Sequence, residues 1–358
     1  MASADTRSSS GKRGSLIVLG IESTAHTFGV GIVSEDEPFI LADARRKYQP
    51  REGGILPREV AAFFSQVAGE VVREALEEAG LSPSDLDAIA VALGPGMGPA
   101  LRVGATVARA LASALRVPLI PVNHGVAHIE IARFLTRLLD PVVLYVSGGT
   151  STVATYNEGR YRVFGETLDI ALGNLLDTFA REAGIAPPYV VEGKHAVDVC
   201  AESGDFIEGF PYVVKGQDVS FSGLLTAALR ALRRGARLAD VCYTLREIAF
   251  SSVIEVTERC LAHTGKKEVV VTGGVAANKL LNEKASLMAA RQKARFEPIP
   301  AKYAVDNGVM IALTGLLMLR SGSPTVKVEE AVVRQRWRID RVEIPWYPMT
   351  LGVYWNTY

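Results

Sequence analysis

Leu16-Ile-Val-Leu-Gly-Ile-Glu-Ser-Thr-Ala-His-Thr-Phe-Gly-Val-Gly-Ile-Val33 is the stretch on which the fold turns. Two apolar runs, Leu16 to Ile21 and Phe28 to Val33, flank a small polar loop at Glu22 to His26, so the stretch reads as strand, tight loop, strand. The same order returns at Pro141 to Val146, Ser147-Gly-Gly149 and Thr152 to Tyr156. The offset is about 125 residues, which predicts two similar halves.

Working outward, residues 55 to 80 carry apolar positions at helical spacing and stop at Gly80. Ala88 to Leu93 reads as a buried strand that enters Gly94-Pro-Gly-Met-Gly-Pro99, with a helix from Arg102 to Leu115. Val117 to Val122 is a further strand, and a helix starts near Asn123. In the second half, helices near 171 to 183, 221 to 233 and 240 to 264 precede the strand Glu268 to Thr272 and the loop Gly273-Gly-Val-Ala-Ala-Asn278; another helix starts at Lys279. Alternating strands and helices imply a layered α/β architecture with ligands at loops beyond the carboxyl ends of the strands. The least regular stretch, Gly184 to Gly209, reads as a long loop or small insertion. The expected organisation is a flexible tail at 1–15, one lobe at 16–140, and a second at 141–346 with an insertion near 184–215. A C-terminal extension follows at 347–358.

At 358 residues the chain has room for about two domains of ~150 residues. With 48% hydrophobic and 22% charged residues it can fill sizeable cores, which excludes wholesale disorder. Basic and acidic residues balance at 39 each, so nucleic acid must be held by local patches rather than a global field. Cys200, Cys242 and Cys260 are an odd number with wide gaps, and are expected to form neither a disulfide framework nor a thiolate cage, as in a reducing compartment. The apolar run after the Ser-rich start ends at Glu22, too short for a signal-peptide core. The longest apolar helix candidate, Met310 to Leu319, is half of the ~20 residues a membrane span needs. A soluble, cytoplasmic protein with no membrane partner is the expectation.

Chemistry concentrates at a few positions. Asn123-His-Gly-Val-Ala-His128 sets two imidazoles at i and i+4 on one helix face, where both can reach one metal ion; the alternative is a pair bonded to backbone. A zinc-protease motif would need Glu directly after the first His, and Gly125 stands there, so that mechanism lacks its base. Asp306, in Val305-Asp-Asn-Gly308, can cap the following helix or present a carboxylate to a metal. Tyr145, at a strand end, is either the polar tip of a core residue or a ligand. Ser147-Gly148-Gly149 and Gly273-Gly274 let backbone N–H groups approach phosphate oxygens, and Glu22-Ser-Thr24 offers hydroxyls at a similar turn. Any one such loop is usually only a turn; three at corresponding strand ends favour a nucleotide cleft. Asp177 can accept from a ribose hydroxyl or stand as a solvated helix charge. Basic clusters at Arg45-Arg-Lys47 with Tyr48 and Arg51, at Arg230 to Arg237 and at Arg334-Gln-Arg-Trp-Arg338 suit RNA contacts or solvated faces equally. The aromatics at Trp346-Tyr347 and Tyr354-Trp355 are assigned no chemistry.

Together, Gly20-Ile-Glu-Ser-Thr-Ala-His26, Gly94 to Gly104, Asn123 to Glu130, Leu144-Tyr-Val-Ser-Gly-Gly149, Asp218-Val-Ser-Phe-Ser-Gly223, Gly273 to Asn278 and Asp306-Asn-Gly308 resemble one family. It is that of the tRNA N6-adenosine threonylcarbamoyltransferases, in the form of the archaeal-type catalytic subunit of the KEOPS complex, and the likeness runs from about 16 to 346. The resemblance implies the duplicated actin-like ATPase fold around a nucleotide cleft. It implies transfer of threonylcarbamoyl from threonylcarbamoyl-AMP to N6 of adenosine 37 in tRNAs reading codons that begin with A, with release of AMP. It further implies one metal ion per subunit, iron ahead of zinc, on His124, His128, Tyr145 and Asp306. The adenylate, or ATP or ADP in the same cleft, would lie on Tyr145, Val146, Ser147, Gly148, Gly149, Asp177, Gly193, Asp198, Gly273, Gly274 and Asn278. The partners it implies are tRNA, a small atypical kinase and a dimerising subunit. Rival readings are an actin-like ATPase or phosphotransferase, for which Glu22 is the candidate base, and a non-catalytic nucleotide-binding scaffold for a partner kinase.

The chain departs from the family at several points. Gly53-Gly-Ile-Leu-Pro-Arg-Glu59 and Phe63-Phe64 stand where the family has histidines, and Thr150 replaces an Asn. The longer Pro187-Pro-Tyr-Val-Val-Glu-Gly193 replaces a Pro-Gly-Gly-Pro loop, and Asp198 replaces a Glu.

Overall fold

A computed structural model describes residues 15–50, 54–191 and 193–352. The expectations for the start of the chain (1–14), for Arg51 and Gly53, and for Tyr354-Trp355 lie outside these residues. The first sheet is built from β1 (Ile17–Glu22), β2 (Thr27–Ser34), β3 (Ile40–Lys47), β4 (Ala88–Gly94) and β5 (Leu119–Asn123), in the order β3-β2-β1-β4-β5. Between them run α1 (Pro57–Ala79) and α2 (Gly98–Leu115), and α3 (His124–Thr136) follows β5 directly. The second sheet uses β6 (Val142–Val146), β7 (Ser151–Asn157), β8 (Arg160–Glu166), β13 (Glu268–Thr272) and β14 (Arg295–Phe296), ordered β14-β13-β6-β7-β8. Each sheet therefore has an antiparallel three-strand meander joined through its first strand to two parallel strands. The two hairpins legible in the sequence occupy equivalent places in that repeat.

The rest of the second half comprises α4 (Leu172–Glu182), a two-residue ribbon β9 (Val190–Val191) and β10 (Lys194–His195), α5 (Ala196–Ala201), a second ribbon β11 (Val214–Lys215) and β12 (Asp218–Val219), α6 (Ser222–Arg233) and α7 (Leu238–Thr264). After β13 come α8 (Lys279–Arg291), α9 (Ala301–Ala304) and α10 (Gly308–Arg320). No helix among the described residues is long and apolar enough to cross a membrane.

Strand periodicity explains how α10 reaches the first sheet. Along β4, Ile89, Val91 and Leu93 face the layer of α1 and α2, while Ala88, Ala90 and Ala92 face the larger core that holds α3 and α10. Small residues on that inner face let a helix come close. At Gly31 a Cβ would stand 2.2 Å from Val309 N, so the start of α10 lies directly on β2. This contact fixes where the residue just before α10, Asp306 among them, must be.

Strands β3, β8 and β14 are not anticipated in the sequence, nor are the two short ribbons. Half of β3 is charged, and it lies at the sheet edge, where one flank needs no apolar partner. The cysteine expectation is corrected: Cys200 on α5 and Cys242 on α7 form a disulfide, with Cα atoms 6.0 Å apart, and Cys260 remains as a buried thiol. A sequence separation of 42 hides the pair, which is made by α5 packing on α7. Unpaired cysteines therefore no longer argue for a reducing compartment.

Candidate functional site

Asn123 ends β5 and caps α3, its side-chain oxygen accepting from Val126 N at 3.1 Å. That cap sets the first helical turn so that His124 and His128 point the same way, with ring centroids 4.7 Å apart. Asn307, rather than Asp306, caps α10 by accepting from Met310 N at 2.8 Å, which leaves the Asp306 carboxylate free to face the imidazoles. Its Oδ1 lies 3.2 Å from His128 Nε2 and 3.6 Å from His124 Nε2. Ligand bonds of about 2.1 Å place neighbouring donor atoms roughly 3.0–3.4 Å apart, so this nitrogen and oxygen set fits one metal ion. The Tyr145 ring lies against His128 at 5.2 Å between centroids. Burial, then the nearby Asp306, pushes its phenol well above the ordinary range.

Behind His124 lies a fully buried carboxylate. Glu22 Oε2 is 2.9 Å from His124 Nδ1, and its Oε1 accepts from Thr24 N at 2.6 Å and from Thr24 Oγ1 at 2.5 Å. Burial opposes protonation of His124, but the charge and hydrogen bond of Glu22, helped by Asp306, outweigh it and lift the imidazole to about 9. His128, which lacks such a partner at Nδ1, is pulled down by burial. Burial also works against ionised Asp306, yet the His128 hydrogen bond and the charges of His124 and His128 hold it well below the usual carboxylate range. The expectation that Glu22-Ser-Thr24 presents hydroxyls to a ligand is corrected here. Thr24 donates inward to Glu22, and Ser23 is buried against Gly104. Glu22, with both oxygens engaged and no exposed surface, is also unavailable as the base a phosphotransferase would need.

Helix α3 is held from both sides. The Thr272 hydroxyl donates to His128 O at 2.8 Å, and Asn123 Nδ2 donates to Trp337 O at 2.9 Å. Buried Arg133 donates to Glu130 at 2.7 Å, to Leu139 O and to Pro348 O at 2.7 Å, while Arg137 donates to Leu351 O at 2.8 Å. Tyr161 donates to the other Glu130 oxygen at 2.5 Å, so the buried ion pair is fully satisfied. Trp346 is fully buried, and Tyr347 lies under the Arg133 guanidinium at 4.7 Å and stacks on Tyr156 at 3.5 Å. The segment for which the sequence offered no chemistry is thus a strap over the histidine-bearing helix.

From Tyr145 the site continues along the ends of β6 and β13. Gly273 is required by the fold, with φ +92° and a would-be Cβ 2.4 Å from Val146 O. Gly148, Gly149 and Gly274 differ: no atom lies within 4 Å of a Cβ there, and none of the three lies in the left-handed region. No packing or turn accounts for their size, so the open loops are suited to a ligand backbone approach. Beyond them, Asp177 on α4 accepts from His195 Nε2 at 3.0 Å, and Asp198 on α5 accepts from Asn278 Nδ2 at 2.6 Å. Asn278 also caps α8, accepting from Leu281 N at 3.2 Å. Gly193 lies in the turn between β9 and β10, at φ +79°. Burial lowers the His26 imidazole, opposed by the charges of Asp306, Asp177 and Glu22 and seconded by Lys47.

Sequence reasoning missed Glu22 as the partner of His124 and His195 as the partner of Asp177. A carboxylate a hundred positions from its imidazole leaves no local pattern. Within the basic clusters, Arg46 pairs with Glu70 and Glu74, Arg338 with Glu166 and Asp340, Arg237 with Asp240, and Arg45 donates to Lys302 O and Asp306 O. Arg45 therefore belongs to the support of Asp306.

The family model for TsaD, tRNA N6-adenosine threonylcarbamoyltransferase, matches residues 40–313. A protein of that name from Aeropyrum pernix is 70% identical over 339 residues, covering 95% of this chain and 97% of the relative. Another from Hyperthermus butylicus is 60% identical, covering 97% of this chain and all of the relative. Among solved structures, T. kodakarensis HypF superposes with a TM-score of 0.58 at 17% identity, over 84% of this chain and 47% of that one, a likeness of fold alone. The duplicated sheets are those of the actin-like ATPase fold, and the chain belongs to the tRNA N6-adenosine threonylcarbamoyltransferases.

Proposed function

We propose that the chain catalyses metal-dependent transfer of threonylcarbamoyl from threonylcarbamoyl-AMP to N6 of adenosine 37 in tRNAs reading codons that begin with A. The observation that carries this reading is the convergence of His124, His128 and Asp306, from two distant parts of the chain, beside the open glycine loops. His124, His128, Asp306 and Tyr145 would hold one ion, iron ahead of zinc; a donor set of imidazole and oxygen without thiolate suits either. When bound, the ion supplies Lewis-acid polarisation of a phosphate or carbamoyl oxygen.

The protein's own residues do the rest. Glu22 and Thr24 orient His124, and the cap of Asn123 keeps the two imidazoles in register. The N–H groups of Gly148, Gly149 and Gly274 face the adenylate, and Asp177, Gly193, Asp198 and Asn278 form the ribose end. The N6 nitrogen bonds to the carbamoyl carbon while the carbon–oxygen bond to phosphate breaks. AMP leaves with that electron pair, and the amine loses its proton. Exocyclic adenine nitrogen is a weak nucleophile, so positioning and charge stabilisation dominate over any protein nucleophile. The anticodon-loop base enters splayed from its stack. The lobes 16–140 and 141–346 would close over this cleft, in the cytoplasm, with the kinase and dimerising subunits of KEOPS as partners.

Reconstitution with threonylcarbamoyl-AMP and tRNA, with and without those partners, tests the reading by the mass of the modified nucleoside. Formation of the threonylcarbamoylated adenosine with stoichiometric AMP is expected. ATP hydrolysis with unmodified tRNA would sink it.

A further inference from the structure

The ribbon β9–β10 stands where the family's shorter loop is replaced, and it ends on a residue with no assigned task. His195 caps α5, its Nδ1 accepting from Val197 N at 3.1 Å. An imidazole that accepts at Nδ1 carries its hydrogen at Nε2, and that hydrogen is donated to Asp177 Oδ1 over 3.0 Å. The His195 side chain is 17% exposed and the Asp177 side chain 45%, so the imidazole stands behind and the carboxylate projects. One turn on, Asp198 holds Asn278 at 2.6 Å, so the same short helix touches both flanks of the ribose end. Its far end is tied to α7 through Cys200 and Cys242, which anchors the support to a long helix.

We infer that His195 is a positioning residue for the nucleoside: it engages Oδ1 of Asp177 and leaves Oδ2 as the acceptor for a ribose hydroxyl. This rests on the reading of Asp177 as a ribose ligand. A free aspartate loses rotamer freedom when it binds, whereas one already held does not, so affinity gains without any new contact. A neutral N–H donor also stabilises the carboxylate without placing a second cation beside the adenylate. The longer loop is then a device of specificity, carrying the imidazole to a place that a tight Pro-Gly-Gly-Pro turn would not fill.

The test uses AMP and 2′-deoxy-AMP as probes, measured by calorimetry on the full chain and on His195→Ala, His195→Gln and Asp177→Asn, each checked by thermal melting. Wild type should prefer AMP to its deoxy analogue. His195→Ala should weaken AMP about five- to tenfold and shrink that preference, with the deoxy analogue little affected. His195→Gln, whose amide nitrogen can reach the Nε2 position, should restore most of the loss. In turnover, His195→Ala should raise KM for threonylcarbamoyl-AMP and leave kcat near wild type. Wild-type AMP binding by His195→Ala, while Asp177→Asn loses it, overturns the role of His195 alone. Equal losses for both probes without rescue by Gln also overturn it, as a merely structural role would look. Normal AMP binding by Asp177→Asn, with no ribose preference in wild type, overturns the ribose assignment and this inference with it.

Discussion

The turns after β1 and after β6 occupy equivalent places in the duplicated sheets, yet they have opposite characters. Glu22, Ser23 and Thr24 are buried, with Glu22 and Thr24 bonded inward, while Gly148 and Gly149 are exposed with empty space where side chains would be. One turn spends its polar atoms on holding a ligand of the proposed ion, and the other keeps its backbone open where the substrate is proposed to lie. Duplication supplies two strand–loop–strand units at one cleft, and the chemistry comes from making them unalike.

The contrast breaks most completely at what the closed turn supports. His124→Ala with His128→Ala should abolish tRNA modification and bound metal together, with a melting temperature close to wild type; elemental analysis and nucleoside mass spectrometry read both. Full activity in the metal-free double variant would refute the metal role. Glu22→Gln should lower metal affinity by roughly 10–100-fold in chelator competition, the usual scale for losing the partner of a ligating histidine. A third comparison sets glycine against glycine. Gly104→Ala would force a Cβ to 2.1 Å from Ser23 Oγ and should cost about 1–3 kcal/mol in denaturant melts. Gly149→Ala meets nothing in the protein, so stability should hold while AMP affinity drops. Equal melting temperatures for the two variants would erase the distinction between closed and open turns.

The smallest effect concerns the turn behind the open loop. Burial favours neutral Asp169, but donation from Ser220 Oγ and from the backbone of Phe221, Ile170 and Ser222 outweighs it and brings the carboxyl to about 2. A depressed carboxyl stabilises the fold above its ordinary pKa near 3.8, and that contribution fades as pH falls from there toward 2. Asp169→Asn should melt slightly lower at neutral pH and lose this part of the acid dependence; the group is largely exposed, so the shift is small.

Much of this was legible because it is local. The i, i+4 spacing of His124 and His128, the helix starts near Asn123 and at Lys279, and the two hairpins each lie within a few residues of chain. Asp306 was ambiguous between cap and ligand, since Asp-Asn-Gly allows either residue to cap; the structure gives that task to Asn307. What stayed hidden joins remote segments: Glu22 with His124, His195 with Asp177, Cys200 with Cys242. Such pairs obey no periodicity; they arise where β1 and β5, on either side of β4, end at the same edge of the first sheet, and where α5 packs on α4 and on α7.

The bonds from Arg133 and Arg137 to the carbonyls of Pro348 and Leu351 have a consequence for anyone who edits the carboxyl-terminal region. Removing residues from Trp346 onward would unseat the helix that carries both imidazoles, although no described residue of the deleted piece is among the proposed ligands. Such a truncation should present as a cofactor-loading defect, to be diagnosed by metal content before any search for a missing catalytic group.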